Sequence, residues 1–275
     1  MEKRLIAIDL DGTLLRKDCT ISEKDRNALL KAMERGHLVV PTTGRGYRNS
    51  RFVLQDFPVM SYYINANGTT ITQGDPEKIL FSCTMPYETG CKIYQLAKEY
   101  PTFIEIYHGL DAYDSYRGCE YMKESRCMEA YRKQLLKTNI HMESLDDFVL
   151  KEKNLISKFH IMCVEKKDQQ ELIGRIAQLP GVYPISTEEK NIEIADAHWS
   201  KRNGLEWLCE KLGFARDQVI AIGDSDNDYE GIRWAGIGVA MENASERVKE
   251  AADYITESNQ NYGVARALEH YGLTS

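Results

Sequence analysis

The sequence predicts an α/β chain, a doubly wound parallel-sheet core with an inserted α+β domain. Three observations carry that expectation. Short, wholly apolar runs alternate with helix-length segments at both ends of the 275 residues, the pattern of parallel strands buried on both faces. The middle of the chain changes to helix–strand–strand units, the grammar of an open antiparallel sheet with helices on one face. Finally, three strands end in polar clusters: Asp9-Leu10-Asp11-Gly12-Thr13, Thr42-Thr43-Gly44-Arg45 and Gly223-Asp224-Ser225-Asp226-Asn227-Asp228. Open α/β sheets bind ligands beyond the carboxyl ends of their strands.

In chain order, RLIAID (4–9) is the first strand. SEKDRNALLKAMERG follows as a helix, opened by a Ser22-to-Asp25 capping pattern and stopped at Gly36. HLVVPT (37–42), a helix near 46–56 and YYINA (62–66) continue the alternation. After the insert come QVIAIG (218–223), a short helix near 227–235, GIGVAM (236–241), a helix opened by Asn243 with Glu246 three later, and DYIT (253–256). In the insert, PYETGCKIYQLAKEY is a helix before the strands TFIEIYH (102–108) and AYDSY (112–116). A helix near 168–179 precedes VYPIST and NIEIAD. These boundaries place the core at 1–83 and 190–275, the inserted domain at 84–189, and linkers near 81–85 and 188–192.

The formal net charge of −7 opposes a general nucleic-acid or anionic-membrane binder, which needs a basic face. Apolar runs are short and the N-terminus lacks a signal-peptide core, so a cytoplasmic location is expected. The seven cysteines (Cys19, Cys83, Cys91, Cys119, Cys127, Cys163, Cys209) form no C-x-x-C pair and are expected as free thiols in a reducing compartment.

Asp9 and Asp11 sit one residue apart behind an apolar strand. Like charges so placed need a cation between them or a proton on one. Asp224-Ser225-Asp226-Asn227-Asp228 begins like a calcium loop, but the sixth and twelfth positions are Tyr229 and Ala235, where that loop needs glycine and a bidentate glutamate.

With these residues together, the sequence resembles the haloacid dehalogenase superfamily of aspartate-nucleophile phosphohydrolases, in particular its Cof-type subfamily. Asp9, Asp11, Gly12 and Thr13 match the first motif, D-x-D-G-T. Thr43 within TGR matches the second, Lys201 the third, and Gly223, Asp224, Asn227 and Asp228 the fourth. Asn67 in INANG is also shared. The resemblance spans the chain and implies a Rossmann-like core with a substrate-selecting cap between the second and third motifs. It departs where Arg202 follows Lys201 in place of the usual glycine, adding a cation near the site, and where YEGI replaces an apolar pair.

The resemblance implies a phosphatase using Mg²⁺, held by the Asp9 side chain, the Asp11 carbonyl and Asp224, with Asp228 and Asn227 in support. Asp9 would form an aspartyl-phosphate and Asp11 would act as general acid and then base. Thr43, through hydroxyl and backbone N–H, Gly44, Arg45, Asn67, Lys201 and Asn227 would contact the substrate phosphate. Asp226 is expected as a solvated loop residue, and His108 and His198 as surface or structural residues. The expected partner is a small phosphorylated metabolite, a sugar phosphate or a phosphorylated cofactor such as pyridoxal phosphate. The alternatives are a phosphomutase of the same superfamily and a silent phosphate-binding module; the competent residues at every catalytic position oppose the latter.

Overall fold

The computed structural model describes residues 3–125, 128–151, 155–186 and 189–274. Cys127 and residues 187–188, the latter at the expected second linker, lie outside them. In chain order the elements are β1 (Leu5–Ile8), α1 (Glu23–Glu34), β2 (Leu38–Pro41), α2 (Tyr47–Val53), β3 (Tyr62–Asn65), β4 (Thr70–Gly74), β5 (Glu77–Ser82) and α3 (Tyr87–Ala97). Next come β6 (Thr102–His108), β7 (Asp111–Ser115), α4 (Tyr116–Glu124), α5 (Glu129–Thr138), β8 (Ile140–Met142), β9 (Lys158–Cys163), α6 (Lys166–Ile176), β10 (Val182–Ile185) and β11 (Asn191–Asp196). The chain closes with α7 (Lys201–Leu212), β12 (Val219–Gly223), α8 (Tyr229–Trp234), β13 (Ile237–Ala240), α9 (Glu246–Ala251), β14 (Tyr254–Ile255) and α10 (Gly263–His270).

Two compact units result. The first is Met1–Arg45, Val53–Leu80 and Ser200–Ser275; the second is Gly46–Phe52 and Phe81–Trp199. The second unit thus reaches beyond 84–189. Asn191 and Ile192, expected in the second linker, already belong to β11, the NIEIAD strand, which is hydrogen-bonded between β9 and β10. Most of α2 also belongs to the second unit: Arg48 Nε donates to Asp111 at 2.9 Å, and Asn49 Nδ2 donates to Thr138 Oγ1 at 3.2 Å.

The first unit carries a parallel sheet in the order β14-β13-β12-β1-β2. Leu5, Ile6 and Ile8 of β1 are fully buried, as a strand covered on both faces requires. The Thr42 to Ile64 bridge adds β3 beyond β2, and β3 turns into the antiparallel series β3-β4-β5, which the sequence reading did not include. The chain runs outward from β1 through β2 and β3, then through β12, β13 and β14 on the other side. β1 is therefore the switch point, and the polar ends of β1, β2 and β12 converge there. Ser22 caps α1 as expected, its Oγ accepting from the Asp25 N–H at 2.9 Å. The helix expected at Asn243 begins only at Glu246, after Ser245, because the Asn243 side chain is bound elsewhere.

The second unit is a six-stranded sheet, β10-β11-β9-β6-β7-β8, antiparallel except for the parallel β7–β8 pair. Helices cover both of its faces rather than one. Ile104, Ile106, Phe159, Ile161, Ile192 and Ile194 share a core with α3 and α6 residues. Phe103 and Met162, on the opposite face by strand alternation, pack with Cys119 and Met122 of α4 and Leu135 of α5. That second face also buries charge, and each charge is answered: Lys158 pairs with Glu193 at 2.9 Å, and His160 Nδ1 lies 3.0 Å from Glu105 Oε2. The six described cysteines are free. Among the described residues no helix is long and apolar enough to cross a membrane.

Candidate active site

Asp9 leaves β1 with its N–H donating to the Ile222 carbonyl at 3.0 Å, so the sheet fixes its position, and it is buried. Asp11 is half-exposed. Between it and Thr13, Gly12 has φ +79°, and a Cβ there would lie 2.2 Å from Asp224 Oδ2. Glycine is what admits the Asp224 carboxylate beside the Asp9 loop. Thr13 Oγ1 donates to Asp224 Oδ1 at 2.8 Å, holding the carboxylate there.

Lys201 is the first residue of α7, whose Ser200 cap accepts from the Asn203 N–H. Its ammonium is buried and donates to Asp9 Oδ1 and Asp228 Oδ1, each at 2.7 Å. Asp228 Oδ2 accepts the N–H groups of Asp224 and Ser225, both at 3.1 Å. Asp228 therefore ties the start of α7 to the loop after β12.

The charges here are unbalanced. Burial pushes the Asp9 carboxyl well above the usual range; Lys201 opposes that, while Asp228, Asp224 and Asp11 reinforce it. Burial, then Asp228, pushes Asp224 up to about 7 against the Thr13 hydrogen bond. Burial works against the Lys201 charge, but Asp228 and Asp9 outweigh it and hold the ammonium above its ordinary value. Lys201 stays charged, yet one ammonium is shared among too many carboxylates. Oxygens of Asp9, Asp224 and Asp228 lie within 4.8 Å of one another, a hard oxygen set that fits a divalent cation such as Mg²⁺.

The second strand end differs from expectation in two donors. The Thr43 N–H is engaged by the Ile64 carbonyl at 2.9 Å, since the strand ladder continues through it; its hydroxyl accepts from the Arg45 N–H at 3.2 Å. Gly44 lies in the turn between them. Arg45, expected on the phosphate, grips Asp11 with a bidentate fork, Nε to Oδ2 and Nη2 to Oδ1, both at 2.6 Å. Asn67 adopts a left-handed conformation, φ +57°, with its N–H on the Thr43 carbonyl at 3.0 Å. Its Oδ1 accepts from Asn227 Nδ2 at 3.1 Å, and Ser225 Oγ donates to Asn227 Oδ1 at 2.7 Å. All three polar strand ends are thus joined by hydrogen bonds.

Arg202 adds no cation here: it pairs with Glu206 at 3.0 Å one helical turn on and lies over the Trp234 ring. Asp226 is exposed and accepts from Ser245 Oγ. His198 is exposed beside Asp196, and His108 Nδ1 meets the Leu155 carbonyl. The sequence reading gave no site role to Thr13, although it lies inside the first strand-end cluster. It also missed Asn243, whose Nδ2 donates to the Gly12 carbonyl at 2.8 Å; in MENAS that asparagine reads as a helix cap.

The sequence profile of the haloacid dehalogenase-like hydrolases matches residues 6–268. The chain belongs to this family. It is a Cof-type member, a phosphoric monoester hydrolase. A 5-amino-6-(5-phospho-D-ribitylamino)uracil phosphatase of Bacillus subtilis, YwtE, is 30% identical, over 97% of each chain. A haloacid dehalogenase-like hydrolase from Bacteroides thetaiotaomicron superposes with a TM-score of 0.80 at 28% identity, over 98% of this chain and 100% of that one. A second, from B. subtilis, gives 0.84 at 25% identity, over 97% and 99%.

Proposed function

We propose that the protein hydrolyses small phosphorylated metabolites through an aspartyl-phosphate on Asp9, with Mg²⁺. The observation that carries the reading is the buried Lys201 ammonium clasped between Asp9 and Asp228, with Asp11 two residues further along the same loop. The Asp9 and Asp224 carboxylates and the Asp11 carbonyl would hold the cation, supported by Asp228 and Asn227. When bound, it neutralises charge between the Asp9 carboxylate and the phosphate.

A carboxylate oxygen of Asp9 attacks phosphorus as the ester P–O bond breaks, and Asp11 protonates the departing alkoxide. Asp11 then takes a proton from the water that attacks the phosphoryl group, releasing phosphate and restoring Asp9. Lys201 and the Thr43 hydroxyl donate to phosphate oxygens as charge redistributes. Arg45 orients Asp11; because its fork occupies both oxygens, it must yield one when Asp11 accepts a proton.

For the substrate we propose a phosphorylated sugar, sugar alcohol or cofactor precursor. Three B. subtilis relatives carry the name of a phosphatase for a phosphorylated ribitylamino compound, which supports that class. The free thiols suit a reducing cytoplasm.

The test is inorganic phosphate release from a panel of metabolites, by wild type and Asp9→Asn. The variant should fold and lose turnover by a factor on the order of 10⁴ or more, as nucleophile removal does elsewhere. Isomerised substrate without phosphate release would establish a mutase, and an Asp9→Asn rate within about tenfold of wild type would exclude Asp9 as nucleophile.

A further inference from the structure

Away from the catalytic loops, the second unit gathers three side chains of different chemistry at one point. Asp114 of β7 and His141 of β8 are register partners in the only parallel pair of the described sheet, so they stand side by side on one face. The chain turns from β7 straight into α4, whose Ser115 cap accepts from the Gly118 N–H, and the next residue, Cys119, lies over the pair. Cys119 Sγ is 3.5 Å from Asp114 Oδ1 and 3.9 Å from His141 Nδ1; His141 Nδ1 is 2.6 Å from Asp114 Oδ1. Asp114 is fully buried and Cys119 nearly so, while the His141 side chain keeps 19% exposure, leaving an approach from solvent.

We propose that Asp114, Cys119 and His141 form a transition-metal site, suited to Zn²⁺, with the fourth position open to water on the His141 side. The set is one thiolate, one imidazole and one carboxylate, the mixture that zinc takes in preference to magnesium.

Tetrahedral zinc with ordinary bond lengths separates a sulfur from a nitrogen or oxygen ligand by about 3.6 Å, and nitrogen from oxygen by about 3.4 Å. Both sulfur edges here are already close to that. The short edge is the His141–Asp114 contact, where a proton now stands in place of the metal. Its location follows from the other ring nitrogen: His141 Nε2 faces the Leu136 carbonyl at 3.1 Å, which can only accept. Nε2 therefore carries a proton, and the 2.6 Å contact at Nδ1 needs a second one.

The outer contacts are those that orient metal ligands. Leu136 O fixes the ring, and Asn139 Nδ2 donates to Asp114 Oδ2 at 3.1 Å while also donating to Glu105 Oε1 at 2.8 Å. Burial, then Asp114, pushes the Cys119 thiol up to about 12, so without a metal it remains a thiol. The exchange balances. One dication enters, and two protons leave to solvent: one from the His141–Asp114 contact and one from Cys119. No redox change occurs, and the net charge of the buried site is unchanged.

Cobalt(II) is the diagnostic probe, because a thiolate ligand gives it a near-ultraviolet charge-transfer band that the Asp9, Asp224 and Asp228 carboxylates cannot give; Cys19, in the loop after β1 with its thiol near Asp11 and Arg45, is excluded by its own variant. Purified full-length protein, stripped with chelator, is titrated with Co²⁺ and then Zn²⁺. The band should rise to one equivalent per chain and be displaced by Zn²⁺, with two protons released per ion in weakly buffered solution. It should vanish in Cys119→Ser and, separately, in His141→Gln, yet persist in Asp224→Asn, in Cys19→Ser and in Cys163→Ser. Asn139→Ala should bind about 10–100-fold more weakly. Circular dichroism and p-nitrophenyl phosphate hydrolysis establish that the cysteine and histidine variants are folded; should Cys119→Ser fail to fold, His141→Gln decides alone. A missing band in wild type, or a band that survives His141→Gln or a folded Cys119→Ser, overturns the proposal.

Discussion

At the scale of single residues, Arg45 carries the largest departure from the sequence expectation. Its guanidinium is almost wholly buried and spans both oxygens of Asp11. A lysine in its place would offer one rotating ammonium instead of a rigid fork, so Asp11 could swing away from the alkoxide that we propose it protonates. Arg45→Lys should therefore lower kcat about tenfold to a hundredfold, within the range that acid–base groups supply, change KM less, and distort the pH–rate profile. Steady-state kinetics on the best metabolite check this. A raised KM with intact kcat would return Arg45 to the phosphate-binding role that the TGR motif suggested.

Asp25 acts at the same scale on stability. Its N–H bonds to Ser22, and its Oδ1 accepts the Ala265 N–H at 2.8 Å, tying α1 to α10. Burial, opposed by the Ser22 and Ala265 hydrogen bonds, raises its carboxyl above 3.8. A raised carboxyl means that the folded chain binds the proton more tightly than the unfolded chain. This contribution is then full below the unfolded value and fades as pH rises through the folded one. Asp25→Asn keeps an acceptor for Ala265 but has no proton to lose. Urea unfolding should show wild type losing stability relative to the variant between acid and neutral pH, and a parallel pH dependence in the two proteins would contradict the assignment.

Among elements, the seating of α7 decides whether Lys201 reaches Asp9. The turn at Ala66–Gly68 lies directly against the helix: a Cβ on Gly204 would stand 3.0 Å from Gly68 Cα, Gly68 O and Ile64 Cγ2, and one on Gly68 would stand 2.2 Å from Ser200 O. Gly204→Ala should push the start of α7 outward, costing about 1–3 kcal/mol as overpacking does and lowering kcat, because the ammonium retreats from Asp9. Gly174→Ala, inside α6 with nothing within 4 Å, should stabilise by about 0.5–1 kcal/mol. Thermal unfolding and kinetics on both variants separate a packing effect from helix propensity.

The same elements show what the sequence could reveal. The strands of the parallel sheet and their polar ends were legible because apolar runs with abrupt polar stops report burial on both faces. The β4–β5 hairpin was not, since β4 begins in threonines and β5 is largely exposed, which leaves a weak alternation. The Thr43 N–H and the Arg45 fork were illegible for another reason: hydrogen bonds to Ile64 and Asp11 join separate strands, and a motif names residue types without their partners.

For the whole molecule, charge and the interruption of the chain bear on what it can hydrolyse. With a net charge of −7, long-range repulsion slows any polyanion, and a phosphate on a nucleic-acid end or an acidic peptide brings more negative charge than a free metabolite. In the proposed mechanism a single phosphomonoester would be drawn in locally, by Lys201 and the cation that the carboxylates would hold. The second unit, entered and left between the second and third catalytic motifs, is the part of the chain through which we propose substrates are selected. The intact enzyme should favour a sugar phosphate, a ribitol phosphate or pyridoxal phosphate over a phosphopeptide and a 5′-phosphorylated oligonucleotide by at least about a hundredfold in kcat/KM, a difference of about 2.7 kcal/mol. Added salt should narrow the gap for the oligonucleotide, because screening acts on long-range repulsion, and should leave the small esters nearly unchanged. A phosphopeptide hydrolysed as efficiently as the best metabolite would overturn this reading of the charge and of the second unit together. A gap that salt does not narrow would leave selection to the shape of the second unit alone.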